Sequence, residues 1–257
     1  MRRLLPAHYD SIRRAGASAP ALLVLNDISS RLAEVRRRID FAATSAGRDP
    51  SSVRLIAVSK TFPLDAIREA FAAGQRDFGE NKVQEGLQKF ATSADLSIRW
   101  HLLGHLQTNK ARKAVSAFAM IHSVDGVELL QKLDRAAEES GRTPELLIQV
   151  DLAGEATKFG ASPGEVPRLF EAAGACRAAR IVGLMTLPPI PDTPEDARPW
   201  FRRLRDLRDE WLAAGVPAPM LRELSMGMSG DFEVAVQEGA TMVRVGTAIF
   251  GSRHVEQ

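Results

Sequence analysis

The sequence predicts one closed barrel of eight parallel strands wrapped by helices, a (β/α)8 or TIM barrel of the α/β class. Three observations predict it. Eight apolar runs of strand length alternate with amphipathic stretches of helical length between residues 53 and 246. Some runs, such as Leu146-Leu147-Ile148-Gln149-Val150, are apolar almost throughout, as in a parallel sheet buried on both faces. The 257 residues contain no linker, repeat or low-complexity segment, which suits one large barrel. A doubly wound open sheet is the main alternative. Strand count and length both favour closure.

Residues 1–22 are expected to form a flexible extension, and 23–257 the barrel. Met1-Arg2-Arg3-Leu4-Leu5 has the look of a signal peptide, but Pro6, His8, Asp10, Arg13 and Arg14 interrupt it before a hydrophobic region forms. A helix opens at Asn26-Asp27, either of which can cap it. Ile28, Leu32, Val35 and Ile39 recur at helical spacing, and Arg36, Arg37 and Arg38 read as a solvated face. Gly47, Asp49 and Pro50 end this helix.

Strands are predicted at 53–59, 76–80, 98–104, 119–124, 145–151, 180–186, 222–226 and 242–246. Helices are predicted between them at 63–73, 81–91, 107–117, 126–139, 163–174, 194–214 and 231–238. No helix is expected after the last strand, so the leading helix is placed to cover that gap. Pro188, Pro189, Pro191 and Pro194 make one rigid loop.

Composition narrows the function classes. A net charge of +2 and only 6% aromatic residues give no bulk case for binding nucleic acid or a membrane. No apolar stretch approaches the roughly 18 residues that span a bilayer. One cysteine, Cys176, excludes an internal disulfide and a cysteine metal cluster, fits a reducing cytoplasm, and reads as a small apolar filler on a helix.

In such a barrel, chemistry sits where the strands finish. The first strand ends in Ser59-Lys60-Thr61, and Lys60 is the one lysine at a strand end. An ammonium at the mouth of a core is partly desolvated, which favours the neutral, nucleophilic amine. At the seventh and eighth strand ends, Ser225-Met226-Gly227-Met228-Ser229-Gly230-Asp231 and Gly246-Thr247 pair two glycine- and hydroxyl-rich loops, the usual place for a phosphate in a barrel. Plain helix capping by Ser229 or Asp231 accounts equally well for any one of these residues.

Arg244 lies inside the last apolar run, so it must find an acceptor. A buried ion pair with Glu223 or Glu80 is one reading, and a donor to a cofactor ring nitrogen is the other. His101 and His105, in His-Leu-Leu-Gly-His, are not read as a zinc pair, because that motif needs a helix and a glutamate after the first histidine. One of them is expected in the core or at the rim, and His105 is placed to touch a ligand.

Together, Val58-Ser59-Lys60-Thr61, Phe78-Gly79-Glu80-Asn81-Lys82-Val83-Gln84-Glu85, Trp100 to Lys110, Ile121 to Asp125, Gly183-Leu184-Met185-Thr186, Leu224 to Asp231 and Val243 to Gly251 resemble the YggS-type family of pyridoxal phosphate (PLP) homeostasis proteins. The resemblance runs from about residue 28 to 252 with the motifs in order. It implies a fold-type III PLP-binding barrel similar to the N-terminal domain of alanine racemase. It also implies Lys60 as the residue forming a reversible internal aldimine with pyridoxal 5'-phosphate and Arg244 facing the pyridine nitrogen. Ser225, Gly246 and Thr247, with backbone near Met226 and Gly227, would hold the phosphate, and Asn81 would lie near the cofactor.

Residues also speak to turnover. Two-base racemisation needs a second base, a tyrosine from a second domain of a partner in alanine racemase. This chain has one tyrosine, Tyr9, in the expected extension, and no length for a second domain after 251. The expectation is a PLP-binding regulator of vitamin B6 homeostasis without robust catalysis, acting indirectly on amino-acid and keto-acid balance. It would be a cytoplasmic monomer able to deliver PLP to apo-enzymes, with no metal, nucleic acid or membrane. A low-activity PLP-dependent amino-acid racemase and a cofactor-free lysine Schiff-base aldolase are the alternatives.

Overall fold

The structure is a computed structural model that describes residues 27–154 and 159–252. The expected extension at 1–22, with Tyr9, and Asn26 lie outside these residues. Eight strands form among the described residues: β1 (Arg54–Val58), β2 (Asp77–Glu80), β3 (Arg99–Leu102), β4 (Met120–Val124), β5 (Glu145–Gln149), β6 (Arg180–Met185), β7 (Glu223–Ser225) and β8 (Met242–Val245). They pair in chain order as one closed barrel. Closure is parallel, with Arg54, Leu55, Ile56 and Ala57 of β1 beside Met242, Val243, Arg244 and Val245 of β8. Each strand falls inside its expected run, because in a parallel sheet buried on both faces the apolar run is the strand.

The helices are α1 (Ile28–Ser45), α2 (Leu64–Ala72), α3 (Val83–Thr92), α4 (Ala111–Ala117), α5 (Val127–Ser140), α6 (Val166–Ala173), α7 (Arg198–Ala213), α8 (Phe232–Gln237) and α9 (Thr247–Phe250). Both α4 and α7 are entered through short 3-10 turns, Thr108–Lys110 and Pro194–Ala197. Thr193 and Asp196 cap the second turn reciprocally. No described helix is long and apolar enough to cross a membrane.

Asp27 caps α1, its Oδ1 accepting from the Ser30 amide at 2.5 Å. The buried face of α1 carries Ile28, Leu32, Val35 and Ile39, at the expected spacing. This helix packs on α2, α8 and α9 and so closes the ring, although a four-residue α9 does follow β8. The arginine run is not simply solvated. Arg36 donates to the Ala73 carbonyl at 2.9 Å, and Arg38 holds Glu233 of α8 through two bonds of 2.8 and 2.7 Å. Only Arg37, bonded to Glu34 on its own helix, behaves as expected.

Apolar side chains form two cores. A large one lies between strands and helices, with Trp100, Phe78, Phe118, Phe201 and Phe232 fully buried. Burying each phenylalanine contributes about 1.5–3 kcal/mol. A small one fills the barrel itself: Ile56, Met120, Leu147, Val182, Met185 and Met242. Alternation along the strands separates the two. Ile56 belongs to the inner core, while its neighbours Leu55 and Ala57 belong to the outer one.

Candidate functional site

A cavity of about 270 Å³ opens where the strands finish. Lys60, Asn81, Arg244, Gly246 and Thr247 line it. Ser229 and Gly230 line it too, with an apolar wall that includes Phe62, Leu187 and Met228. This volume lies near the lower end of small-ligand pockets, about 300 Å³.

Lys60 owes its place to a strained turn. The Phe62 amide donates to the Ser59 carbonyl at 3.0 Å, closing a four-residue turn with Lys60 and Thr61 at its centre. Thr61 sits at φ 69°, a left-handed conformation that such a turn normally gives to glycine. For a β-branched residue this costs about 1–3 kcal/mol. A buried cluster behind the turn holds it. Lys89 Nζ donates to the Ser59 carbonyl at 2.7 Å and to Glu80 Oε1 and Glu85 Oε1 at 2.8 Å each. Glu85 Oε1 accepts from the Thr61 amide at 2.5 Å, and Glu80 Oε1 from the Ser59 hydroxyl at 2.7 Å. Ionic partners therefore grip the backbone on both sides of Lys60.

Burial pushes the Glu80 carboxyl up, against the bonds from Lys89 and Ser59. For Glu85 burial also acts upward, but the bonds from Lys89 and the Thr61 amide win and hold it down. Glu80 Oε2 is buried with no hydrogen-bond partner.

Arg244 lies at the cavity floor, 4% exposed. Neither expected ion pair forms. Glu80 pairs with Lys89, while Glu223 lies near Arg54 and accepts from Thr241. The guanidinium instead donates to Ser225 Oγ at 2.7 Å and to the Thr186 carbonyl at 2.9 Å. Burial brings its pKa down to about 10, with Asp231 opposing, so it stays charged at neutral pH.

The seventh and eighth loops meet at the cavity, the eighth through Gly246 and Thr247 and the seventh through Met228, Ser229 and Gly230, three residues beyond Ser225, Met226 and Gly227. Ser225, Met226 and Gly227 are not in the lining. Ser225 Oγ is committed to Arg244 and His122, and Met226 is packed in the outer core. Gly227 makes the bend at φ 90°, where an added Cβ would come within 2.5 Å of Ala235. Chain reversal there delivers Met228, Ser229 and Gly230 to the cavity. Ser229 then ties the two loops together, accepting from the Gly246 amide at 3.1 Å and the Ala248 amide at 3.4 Å.

Asn81 is fixed by close packing. A side chain at Gly104 would meet the Asn81 carbonyl at 2.2 Å, so only glycine lets the β3 loop pass. His101 is fully buried, while His105 is partly exposed, stacked on Phe159 with ring centroids 3.6 Å apart. His105 lines a smaller adjoining cavity with Asn81 and Leu187. No cluster of histidine, cysteine or acidic residues fit for a metal occurs among the described residues. Cys176, just after α6, donates weakly to the Ala172 carbonyl, and burial pushes its thiol up to about 11.

The donor set fits a phosphorylated aldehyde: an amine at Lys60, a fixed cation at Arg244, and hydroxyls and glycines at Ser229, Gly230, Gly246 and Thr247. The model of the family described as alanine racemase, N-terminal domain, matches residues 30–254. A pyridoxal phosphate homeostasis protein of Aquifex aeolicus is 44% identical over 223 residues, covering 87% of this chain and 97% of that protein. One from Pseudomonas aeruginosa is 44% identical over 229 residues, covering 89% and 97%. The structure of PipY from Synechococcus elongatus with PLP bound superposes with a TM-score of 0.78 at 46% identity, covering 88% of this chain and all of that one. Alanine racemase of Clostridium difficile shares the fold, with a TM-score of 0.68 at 15% identity over 90% of this chain and 58% of that one.

Proposed function

This chain belongs to the pyridoxal phosphate homeostasis protein family, built on the alanine racemase N-terminal fold, and from that premise we propose that it holds PLP in the cavity at Lys60. The observation that carries the proposal is the meeting of Lys60, Arg244 and the Ser229–Gly230 and Gly246–Thr247 loops around one cavity. When bound, PLP supplies an aldehyde open to reversible attack by a primary amine, a pyridine ring and a phosphate. Lys60 is the attachment residue, standing on a turn that its neighbours hold rigid. Arg244 faces the ring nitrogen, and its permanent charge disfavours a proton there. Ser229, Gly230, Gly246 and Thr247 take the phosphate, and Asn81 borders the ring. Ser225 acts beneath the site, on Arg244, while Met226 and Gly227 frame the loop.

The protein acts in vitamin B6 homeostasis as a cytoplasmic, monomeric holder of PLP that can pass it to apo-enzymes, and so acts indirectly on amino-acid and keto-acid balance. Robust turnover is not part of this reading. Racemisation takes a proton from one face and returns it on the other, so it needs two groups able to exchange protons. Among the described cavity-lining residues, Lys60 and Arg244 are the only titratable ones, and Arg244 keeps its proton. A low-activity racemase is the second reading; loss of α-deuterium from an added amino acid at a useful rate would establish it.

The test is a PLP titration followed by visible absorbance, borohydride reduction and peptide mapping. Wild type is expected to gain a visible band and to carry the pyridoxyl mass on the peptide containing Lys60. Lys60→Ala should do neither. Labelling of another peptide, or the same band in the variant, would overturn the assignment.

A further inference from the structure

One polar path crosses the apolar interior of the barrel. It starts at Asp77, the first residue of β2, at the mouth opposite the cavity. Asp77 Oδ1 lies 2.8 Å from His101 Nε2. His101 Nδ1 lies 3.0 Å from His122 Nε2, and His122 Nδ1 lies 2.9 Å from Ser225 Oγ. Ser225 Oγ lies 2.7 Å from Arg244 Nη1. Both histidines and the serine are fully buried, and Asp77 and Arg244 are 8% and 4% exposed.

Hydrogen bookkeeping gives this path one direction. A guanidinium only donates, so Ser225 Oγ accepts from Arg244 and its own hydrogen is free for His122 Nδ1. At the other end an ionised carboxylate only accepts, so His101 Nε2 donates to Asp77. A neutral imidazole has one donor and one acceptor. His101 Nδ1 therefore accepts, and His122 Nε2 donates to it. The carboxylate end demands this arrangement, and the arginine end accommodates it, since Ser225 Oγ can accept from Arg244 and donate to His122 Nδ1 at once. The reverse one would set the lone pair of His101 Nε2 against the carboxylate.

The surrounding charges agree. Burial pushes the Asp77 carboxyl up, but the bonds from His101 and Arg99 outweigh it and bring it to about 2. Burial holds both imidazoles below the usual histidine range. Arg99 and Arg54 add to this at His101, although Asp77 opposes it. His101, Arg244 and Arg54 add to it at His122. Asp231 is the acidic group facing Arg244.

We infer that Asp77, His101, His122 and Ser225 are positioning residues for Arg244: one directed hydrogen-bond chain, with both imidazoles neutral and protonated on Nε2, that fixes the guanidinium at the cavity floor from the far mouth of the barrel. This holds whether or not PLP is the ligand. The Thr186 carbonyl supplies the second anchor, so the guanidinium is fixed at two of its nitrogens.

The test uses ligand-free protein with 15N-labelled histidine and arginine side chains. In wild type, His101 and His122 are expected to stay neutral and Nε2-protonated from about pH 5 to 9, a range in which an ordinary histidine titrates. A charged imidazole, or a proton on Nδ1 of either, would overturn the inference, and this measurement needs no variant. His122→Phe keeps a ring but cuts the chain, and should speed exchange of the Arg244 guanidinium hydrogens about fivefold, the worth of one hydrogen bond. His122→Gln, which can accept and donate at once, should restore most of the protection. Asp77→Asn should speed exchange by a smaller factor, although Asp77 does not touch Arg244. Unchanged Arg244 exchange in folded His122→Phe would sink the proposal. Should that variant not fold, the wild-type proton positions decide alone.

Discussion

The barrel fixes its two cavity cations in opposite ways. At the first strand end, charged groups grip the backbone: Lys89 and Glu85 hold the turn on either side of Lys60, and Glu80 completes the cluster. At the eighth strand, neutral groups hold the Arg244 side chain, and the chain of hydrogen bonds behind Ser225 ends on the Asp77 carboxylate at the far mouth. The first device is compact and strained, with Thr61 left-handed and one Glu80 oxygen without a partner. The second is long and satisfied at each link. At Lys60 the grip is on the backbone that carries the amine. A guanidinium that must not move is gripped at its nitrogens.

The largest way to break the contrast is Lys89→Met, which keeps the stem and removes the charge between two carboxylates. Taking one partner from a buried ion pair costs about 3–5 kcal/mol. Urea unfolding at neutral pH is expected to show a loss of that size, and a loss under about 1 kcal/mol would mean the cluster is not a clamp.

Asp77 gives a smaller effect with a sign fixed in advance. Its carboxyl is held at about 2 against an ordinary 3.8. The stabilisation is full above the unfolded value and is lost as pH falls from there through the folded one, roughly 2 kcal/mol in all. Asp77→Asn should therefore flatten the fall in urea midpoint between about pH 4 and 2. An unchanged slope would show that other carboxylates govern acid unfolding.

Thr61→Gly is the smallest and runs the other way. Relief of the left-handed strain, offset by the greater freedom of glycine in the unfolded chain, should raise stability by about 1 kcal/mol. Destabilisation in the same measurement would mean that the threonine side chain earns its place by contacts.

The fold and the cavity lysine were legible for one reason: in a parallel barrel, apolar runs are strands, and a lysine at the end of one stands out. Arg244 stood out likewise. Within 225–231, Ser-Met-Gly-Met-Ser-Gly repeats its chemistry, so only the bend at Gly227 decides which serine reaches the cavity. The Asp77–His101–His122 path was out of reach because its members sit on different strands. A signal existed, since each is a polar residue within or at the edge of an apolar run. Lys89 left a similar trace, a cation three residues after Gly86 on the buried face of α3. The partners of the arginine run needed the tertiary fold, since Arg36 and Arg38 reach other helices.

Ring closure by α1 has a consequence in time. Arg31 of α1 donates to the Ile249 carbonyl at 2.6 Å, across 218 residues of chain. At about 5–20 residues per second of synthesis, the first helix waits roughly 10–40 s for that partner to be made. Until then part of the apolar stripe of Ile28, Leu32, Val35 and Ile39 has nothing to cover it, and β1 has no β8 to pair with. The last contacts to form join the two ends of the described chain, so a ribosome stalled before β8 leaves an open sheet with two unpaired edges.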